Sequence, residues 1–149
     1  MAEYDPYWDA ELKGRDEFKT LFEGKFQWMA DGTVSMPYDG IIGLYTDEIY
    51  PFEIKKRDFG FGKYPDYILE KAKAETLLNA YKNNKQFNGA WYINILDDKM
   101  LIWDITKISL GQPTKEHCPK KSAELKKRYT IKSCYHLKPE DTIWMLDIS

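Results

Sequence analysis

The run Asp39-Gly40-Ile41-Ile42-Gly43-Leu44-Tyr45, the polar break Thr46-Asp47-Glu48 and the run Ile49-Tyr50-Pro51-Phe52-Glu53-Ile54-Lys55-Lys56-Arg57 decide the fold. Two β-prone segments around a short polar turn read as a hairpin, with Asp39 at its start and Glu53 and Lys55 near its far end. If Thr46 to Glu48 form a three-residue loop, Tyr45 pairs with Ile49 and Asp39 falls opposite Lys55. Side chains alternate faces along a strand, so Glu53 and Lys55 share a face while Phe52 and Ile54 point the other way. This register brings Asp39, Glu53 and Lys55 together, and a slip of one residue would send Asp39 to the opposite face.

Two carboxylates this close repel, and a divalent cation removes the conflict. Oxygen ligands suit Mg2+ or Mn2+, and an ion held by few protein groups keeps waters that can be activated for phosphodiester cleavage. A neighbouring lysine stabilises charge on the attacking oxygen or the scissile phosphate. The bland reading of Glu53, Lys55, Lys56 and Arg57 is a solvated edge strand guarded by Pro51. Against it stand the Asp-Gly at hairpin distance, the apolar frame around Glu53 and Lys55, and the helix and two strands that follow.

Met36-Pro37-Tyr38-Asp39-Gly40 followed by Phe52-Glu53-Ile54-Lys55-Lys56-Arg57 resembles the PD-(D/E)xK nuclease superfamily, above all its small phage and prokaryotic members. The resemblance spans about residues 11–106, with Tyr38 separating the proline from the aspartate. It implies an α/β fold with a restriction-endonuclease-like core, a mixed β-sheet flanked by helices in the order α-β-β-β-α-β-β. It implies that Asp39, Glu53 and the main-chain carbonyl of Ile54 hold Mg2+ or Mn2+, that Lys55 assists the chemistry, and that DNA is the substrate, cut internally rather than from an end. Pairing into a homodimer to cut both strands is a further implication. The superfamily also places an upstream acidic residue and a polar residue of the following helix near the ion; Glu17, with Glu11 and Glu23 as competitors, and Lys73, with Glu70 as competitor, are the candidates here.

The literal Pro65-Asp66 is set aside, because no Glu-x-Lys strand follows it; Asp66 reads as the N-cap of a helix running to about residue 83. Leu69, Ala72, Thr76 and Ala80 give that helix one packing face. Upstream, a helix is expected from Trp8 to Glu23 with Gly14 as a break, then a strand from Lys25 to Ala30 and a turn at Asp31-Gly32. Downstream, Ala90 to Leu96 and Met100 to Ile105 are long β-prone runs separated by Asp97-Asp98-Lys99.

At 149 residues the chain is expected to form one domain, with a core over about residues 9–106 and a C-terminal extension over about 107–149. Without an apolar leader or a membrane-length run, the expectation is a soluble protein of the cytoplasm, the host's if phage-encoded, with no membrane partner. Two cysteines do not make a disulfide scaffold. A net charge of −2 gives no global pull toward nucleic acid, so DNA contact falls to local basic groups: Lys56, Arg57 and Lys63 near the hairpin, and Lys120, Lys121, Lys126, Lys127 and Arg128 on a short amphipathic helix.

The two histidines and two cysteines fall together as His117-Cys118 and Cys134-Tyr135-His136, a composition that suits tetrahedral Zn2+. Adjacent His117 and Cys118 are awkward joint ligands and the spacing matches no standard finger, so the bland reading of core cysteine and half-buried histidine is preferred. No family signature surrounds them for thiol catalysis. Phe59-Gly60-Phe61-Gly62-Lys63 lacks the spacing of a phosphate-cradling loop; it reads as a segment whose aromatic and basic groups either touch a substrate strand or close the core. Two non-catalytic readings stand beside the nuclease: a degenerate scaffold that binds nucleic acid or protein, and an accessory protein docking through Trp8, Trp28 or Trp144.

Overall fold

The computed structural model describes residues 6–32, 36–119 and 129–148. Its centre is a six-stranded sheet in the order β1 (Trp28–Asp31), β2 (Gly40–Gly43), β3 (Ile49–Lys56), β5 (Trp91–Ile95), β6 (Lys99–Asp104) and β9 (Trp144–Asp147). β3 and β5 are parallel and the other pairs antiparallel, so the sheet is mixed. A parallel pair needs a crossover, and β4 (Tyr67–Glu70) with α2 (Lys71–Asn83) supplies it.

Helix α1 (Pro6–Leu21) lies on one face, where Phe18 and Phe22 meet Phe52, Trp91, Ile93, Ile95 and Ile102 in one apolar cluster. Gly14 lies within this helix and does not break it; a Cβ there would sit 3.7 Å from Ile54 Cγ2, so its small size brings helix and sheet close. On the other face, α2 and a three-stranded sheet, in the order β4, β8 (Tyr129–Leu137) and β7 (Thr114–Pro119), cover Tyr92, Leu96, Leu101 and Trp103 through Tyr67, Leu69, Ala74, Leu77 and Leu137. Residues beyond 106 thus enter both sheets, β9 extending the large one and β8 pairing with β4.

Two expectations are corrected. The helix does not begin at Asp66: Tyr67–Glu70 pairs antiparallel with β8, α2 starts at Lys71, and Asp66 bonds His136 Nδ1 at 2.9 Å. Buried Tyr67 and Leu69 alternate with half-buried Ile68 and Glu70, a strand's period that gains a partner only from a distant segment. The element order therefore carries an additional strand before α2. In the hairpin, Gly43 pairs with Ile49 and Leu44 N donates to Glu48 O at 2.9 Å, so the loop is Tyr45–Thr46–Asp47. Asp47 takes φ 68°, the left-handed turn position that an aspartate tolerates and that closes three-residue hairpins. Within the ladder the shift moves each cross-strand partner by two positions, and the ladder ends at Gly40, before Asp39. The amphipathic helix expected over 120–128 lies outside the described residues.

Candidate active site

The paired register ends with Gly40 opposite Phe52, and Asp39 donates its own N–H to Phe52 O at 3.0 Å, a step out of the ladder that seats it at the end of β2 beside Phe52 and Ile54 rather than opposite Lys55. β2 ends there and β3 runs on, leaving Ile54 N–H without a strand partner on that side; the Asp39 carboxylate takes its place, Oδ2 accepting from Ile54 N at 2.7 Å. Within a strand residue, N–H and C=O emerge on the same edge, so the Ile54 carbonyl faces the gap that Asp39 fills. Gly40 is required for this approach: a Cβ there would meet Ala30 O and the Phe52 ring at 2.6 Å. Asp39 and Glu53 are both buried, 6% and 8% exposed, which is costly for carboxylates unless they are paired.

Partners are present. Arg15 of α1, itself 5% exposed, donates Nη2 to Asp39 Oδ1 at 3.2 Å and Nη1 to Gly32 O at 3.0 Å, fixing the carboxylate and the preceding turn together. Lys73 of α2 lies 3.3 Å from Glu53 Oε1. Lys55 shares the Glu53 face; burial, followed by Arg57, pushes its ammonium below the usual lysine range, with Glu70 opposing and Lys132 and Lys73 reinforcing. Glu70 is bonded to Lys132 at 2.7 Å. Five cations, Arg15, Lys55, Arg57, Lys73 and Lys132, thus face three carboxylates, Asp39, Glu53 and Glu70, making a cationic patch on an acidic chain.

The structure brings Asp39, Glu53, Ile54, Lys55 and Lys73 to one end of the β2–β3 pair. It does not bring Glu17, which is ion-paired with Lys56 on the face that α1 covers. Arg15 stands where an upstream acidic residue was expected. It shares the helix face of Phe18 and Phe22, three and seven residues on, and a charge on an apolar stripe is the signal that reveals it. Asn94 was also missed. It is fully buried opposite Lys55, an amide within the apolar run Trp91 to Ile95, and its Oδ1 accepts from Arg57 Nε at 3.0 Å.

Arg57 further donates to Ile68 O at 2.8 Å and Tyr92 OH at 3.2 Å, so it clamps β4 to β5 rather than standing ready for phosphate. Lys63 is exposed, 5.9 Å and 5.6 Å from the ring centroids of Phe59 and Tyr64. Lys120, Lys121, Lys126, Lys127 and Arg128 lie outside the described residues. The zinc quartet is not assembled: Cys134 is paired with Thr114 and Cys118 with Thr130, four positions along, while His117 points to the face opposite His136. His136 is instead held by Asp66, Glu116 and Thr114.

Asp39, Glu53 and the Ile54 carbonyl are hard oxygen donors of the kind that suits Mg2+ or Mn2+. Among the described residues no group of three or more His, Cys, Asp or Glu side chains is placed to hold a metal ion.

The sequence matches no protein-family model and no curated protein. A solved structure is similar in three dimensions: Hjc, a Holliday junction resolvase from the archaeal hyperthermophile Archaeoglobus fulgidus, with a TM-score of 0.52 and 14% identity over 89% of this chain and 93% of that one. The chain shares the fold of this structure, a restriction-endonuclease-like mixed sheet flanked by helices. Among the described residues no helix is long and apolar enough to cross a membrane.

Proposed function

We propose that this chain is a Mg2+- or Mn2+-dependent nuclease that hydrolyses phosphodiester bonds in DNA, cutting within the strand. The observation that carries the reading is the buried Asp39 carboxylate on Ile54 N–H, the residue between buried Glu53 and half-buried Lys55, at the end of a restriction-endonuclease-like sheet. Asp39, Glu53 and the Ile54 carbonyl would hold the cation, which when bound supplies Lewis acidity toward the phosphate and an activated water. Lys55 donates hydrogen bonds to the phosphate oxygens as negative charge builds on them, and its partly buried setting strengthens that interaction. Arg15 fixes the Asp39 rotamer from behind, and Lys73 steadies Glu53 until a substrate phosphate competes for its ammonium. Water attacks phosphorus in line with the leaving sugar oxygen, the phosphorus–oxygen bond breaks, and the leaving oxygen takes up a proton. The surrounding excess of cations draws the backbone in, and a pair of copies would present two such sites to a duplex.

Asp39→Ala and Lys55→Ala are each expected to lower Mg2+-dependent cleavage of plasmid and branched DNA by about 100-fold or more, with the circular dichroism spectrum unchanged. Cleavage undiminished in both variants would reject this site. The arginine on Asp39 supports a second reading, a binding scaffold whose acidic groups are already balanced by its own cations. Calorimetry separates the two, since Mg2+ binding that vanishes in Asp39→Ala supports the enzyme and no detectable binding supports the scaffold.

A further inference from the structure

Beside Asp39 lies a cleft of about 480 Å³ between the 36–39 segment and the C-terminal half of α2. Its lining is Pro37, Tyr38, Thr76, Asn79, Ala80, Asn83, Asn84 and Phe87, with no charged side chain, on a chain in which 31% of residues are charged. Such a volume is typical of small-ligand sites. Tyr38, which lines it, directly precedes Asp39 in the chain. Lys73, which reaches Glu53, stands on α2 three residues before Thr76, seven before Ala80 and ten before Asn83, so the cleft continues along the same helix face. Tyr38 and Phe87 meet edge to face with centroids 6.5 Å apart, leaving an aromatic wall on one side. Asn79 and Asn83, exposed on successive turns, offer amide donors and acceptors on the other.

An uncharged slot with an aromatic wall and carboxamides repels neither a base nor its polar edge, and it gives a phosphate nothing to hold. We infer that this cleft binds an unpaired nucleobase flanking the scissile phosphate, the phosphates staying with the cations around Glu53 while the base turns toward Tyr38, Phe87, Asn79 and Asn83. The inference rests on the nuclease reading and names its substrate class. A base inside a stacked duplex cannot enter a pocket without unstacking, so the cleft favours single-stranded, gapped or branched DNA over intact duplex. Stacking on aromatic side chains is tolerant of base identity, so the selection is for structure rather than sequence.

The test is binding by the full chain with a chelator present, so that cutting plays no part. The probes are a labelled single-stranded oligonucleotide, a duplex with a short gap, and the intact duplex of the same sequence. The two unpaired probes are expected to bind about 10-fold more tightly than the duplex. Asn79→Ala combined with Asn83→Ala, and separately Ala80→Trp, which fills the slot, should bring them down to the duplex's affinity and leave duplex binding alone. A 2-aminopurine base should show quenched fluorescence in the wild type only. All these positions are on a helix surface and both alanines favour helix, so the variants are expected to fold. Equal affinity for paired and unpaired probes, or a preference that survives both variants, would overturn the inference. Cleavage by Asp39→Ala measured separately bears on the nuclease reading alone.

Discussion

The two faces of the six-stranded sheet are built from alternate residues of the same strands, yet they are spent differently. Toward α1, Phe52, Trp91, Ile93 and Ile102 meet Phe18 and Phe22 in an aromatic and aliphatic cluster, with buried Asp104 at the end of β6 opposite Trp91 and the Tyr50 hydroxyl as its polar groups. Toward α2, the neighbours in sequence are Glu53, Lys55, Tyr92 and Asn94, and the layer is threaded by Arg57, Lys73 and Glu70. Strand β3 alone shows the division, with Phe52 buried on one side and Glu53 buried on the other. The α1 face carries stability, and it allows the opposite face to hold half-buried charges whose desolvation a purely structural layer would avoid.

Breaking the apolar face gives the largest expected loss of stability. Phe18→Ala should cost about 3–5 kcal/mol, lowering the melting temperature by roughly 10 °C or more, with cleavage per folded molecule retained. Thermal unfolding followed by activity normalised to folded fraction checks this, and a loss of specific activity without a loss of stability would erase the division between faces. Arg15 crosses that boundary, rooted in α1 but aimed at Asp39, so Arg15→Gln should lose on both counts. It removes one partner of a buried pair, for about 3 kcal/mol of stability, and it releases the Asp39 rotamer. A raised KM for Mg2+ alongside the lower kcat would mark its positioning role, because a merely structural loss leaves metal dependence where it was.

The smallest effect lies furthest from the site. His136 is hydrogen-bonded to Asp66, with Glu116 adding attraction, and this raises its pKa above the usual histidine range. A group whose folded pKa exceeds its unfolded value contributes stability that is complete below about pH 6.5 and fades as pH climbs through the raised value. Melting temperatures from about pH 5.5 to about pH 8.5 should therefore fall slightly more steeply with rising pH in the wild type than in His136→Gln. Parallel curves would show that the small sheet does not depend on this ion pair.

Much of this was legible in the chain, because the signals were local. The hairpin, β5 and β6 each announce themselves by period and turn residues, whereas the face read for α2 from Leu69, Ala72, Thr76 and Ala80 gives way to Ala74 and Leu77, the residues the helix buries. The register error came from Asp47, whose left-handed turn shifts the loop by one residue, and Asp39 lies beyond the ladder, held by Phe52 O, Ile54 N and Arg15 rather than by a cross-strand partner. β4 was hidden because four residues after an aspartate look like a first helical turn until β8 lies beside them. Arg15 was hidden because its target is 24 residues away and only its place on the Phe18–Phe22 stripe betrays it.

The pairing of Tyr67 with Leu137 joins segments seventy positions apart, whereas the first hairpin closes over a handful. Closing so long a loop is entropically slow and gains its contacts only afterwards, so the hairpin forms early and the small sheet is a late arrival. Helix α2 packs on β3 as well as on β4 and β8, so the place of Lys73 beside Glu53 is set from both sheets, and a change at the far end of the small sheet reaches the charged layer through β4.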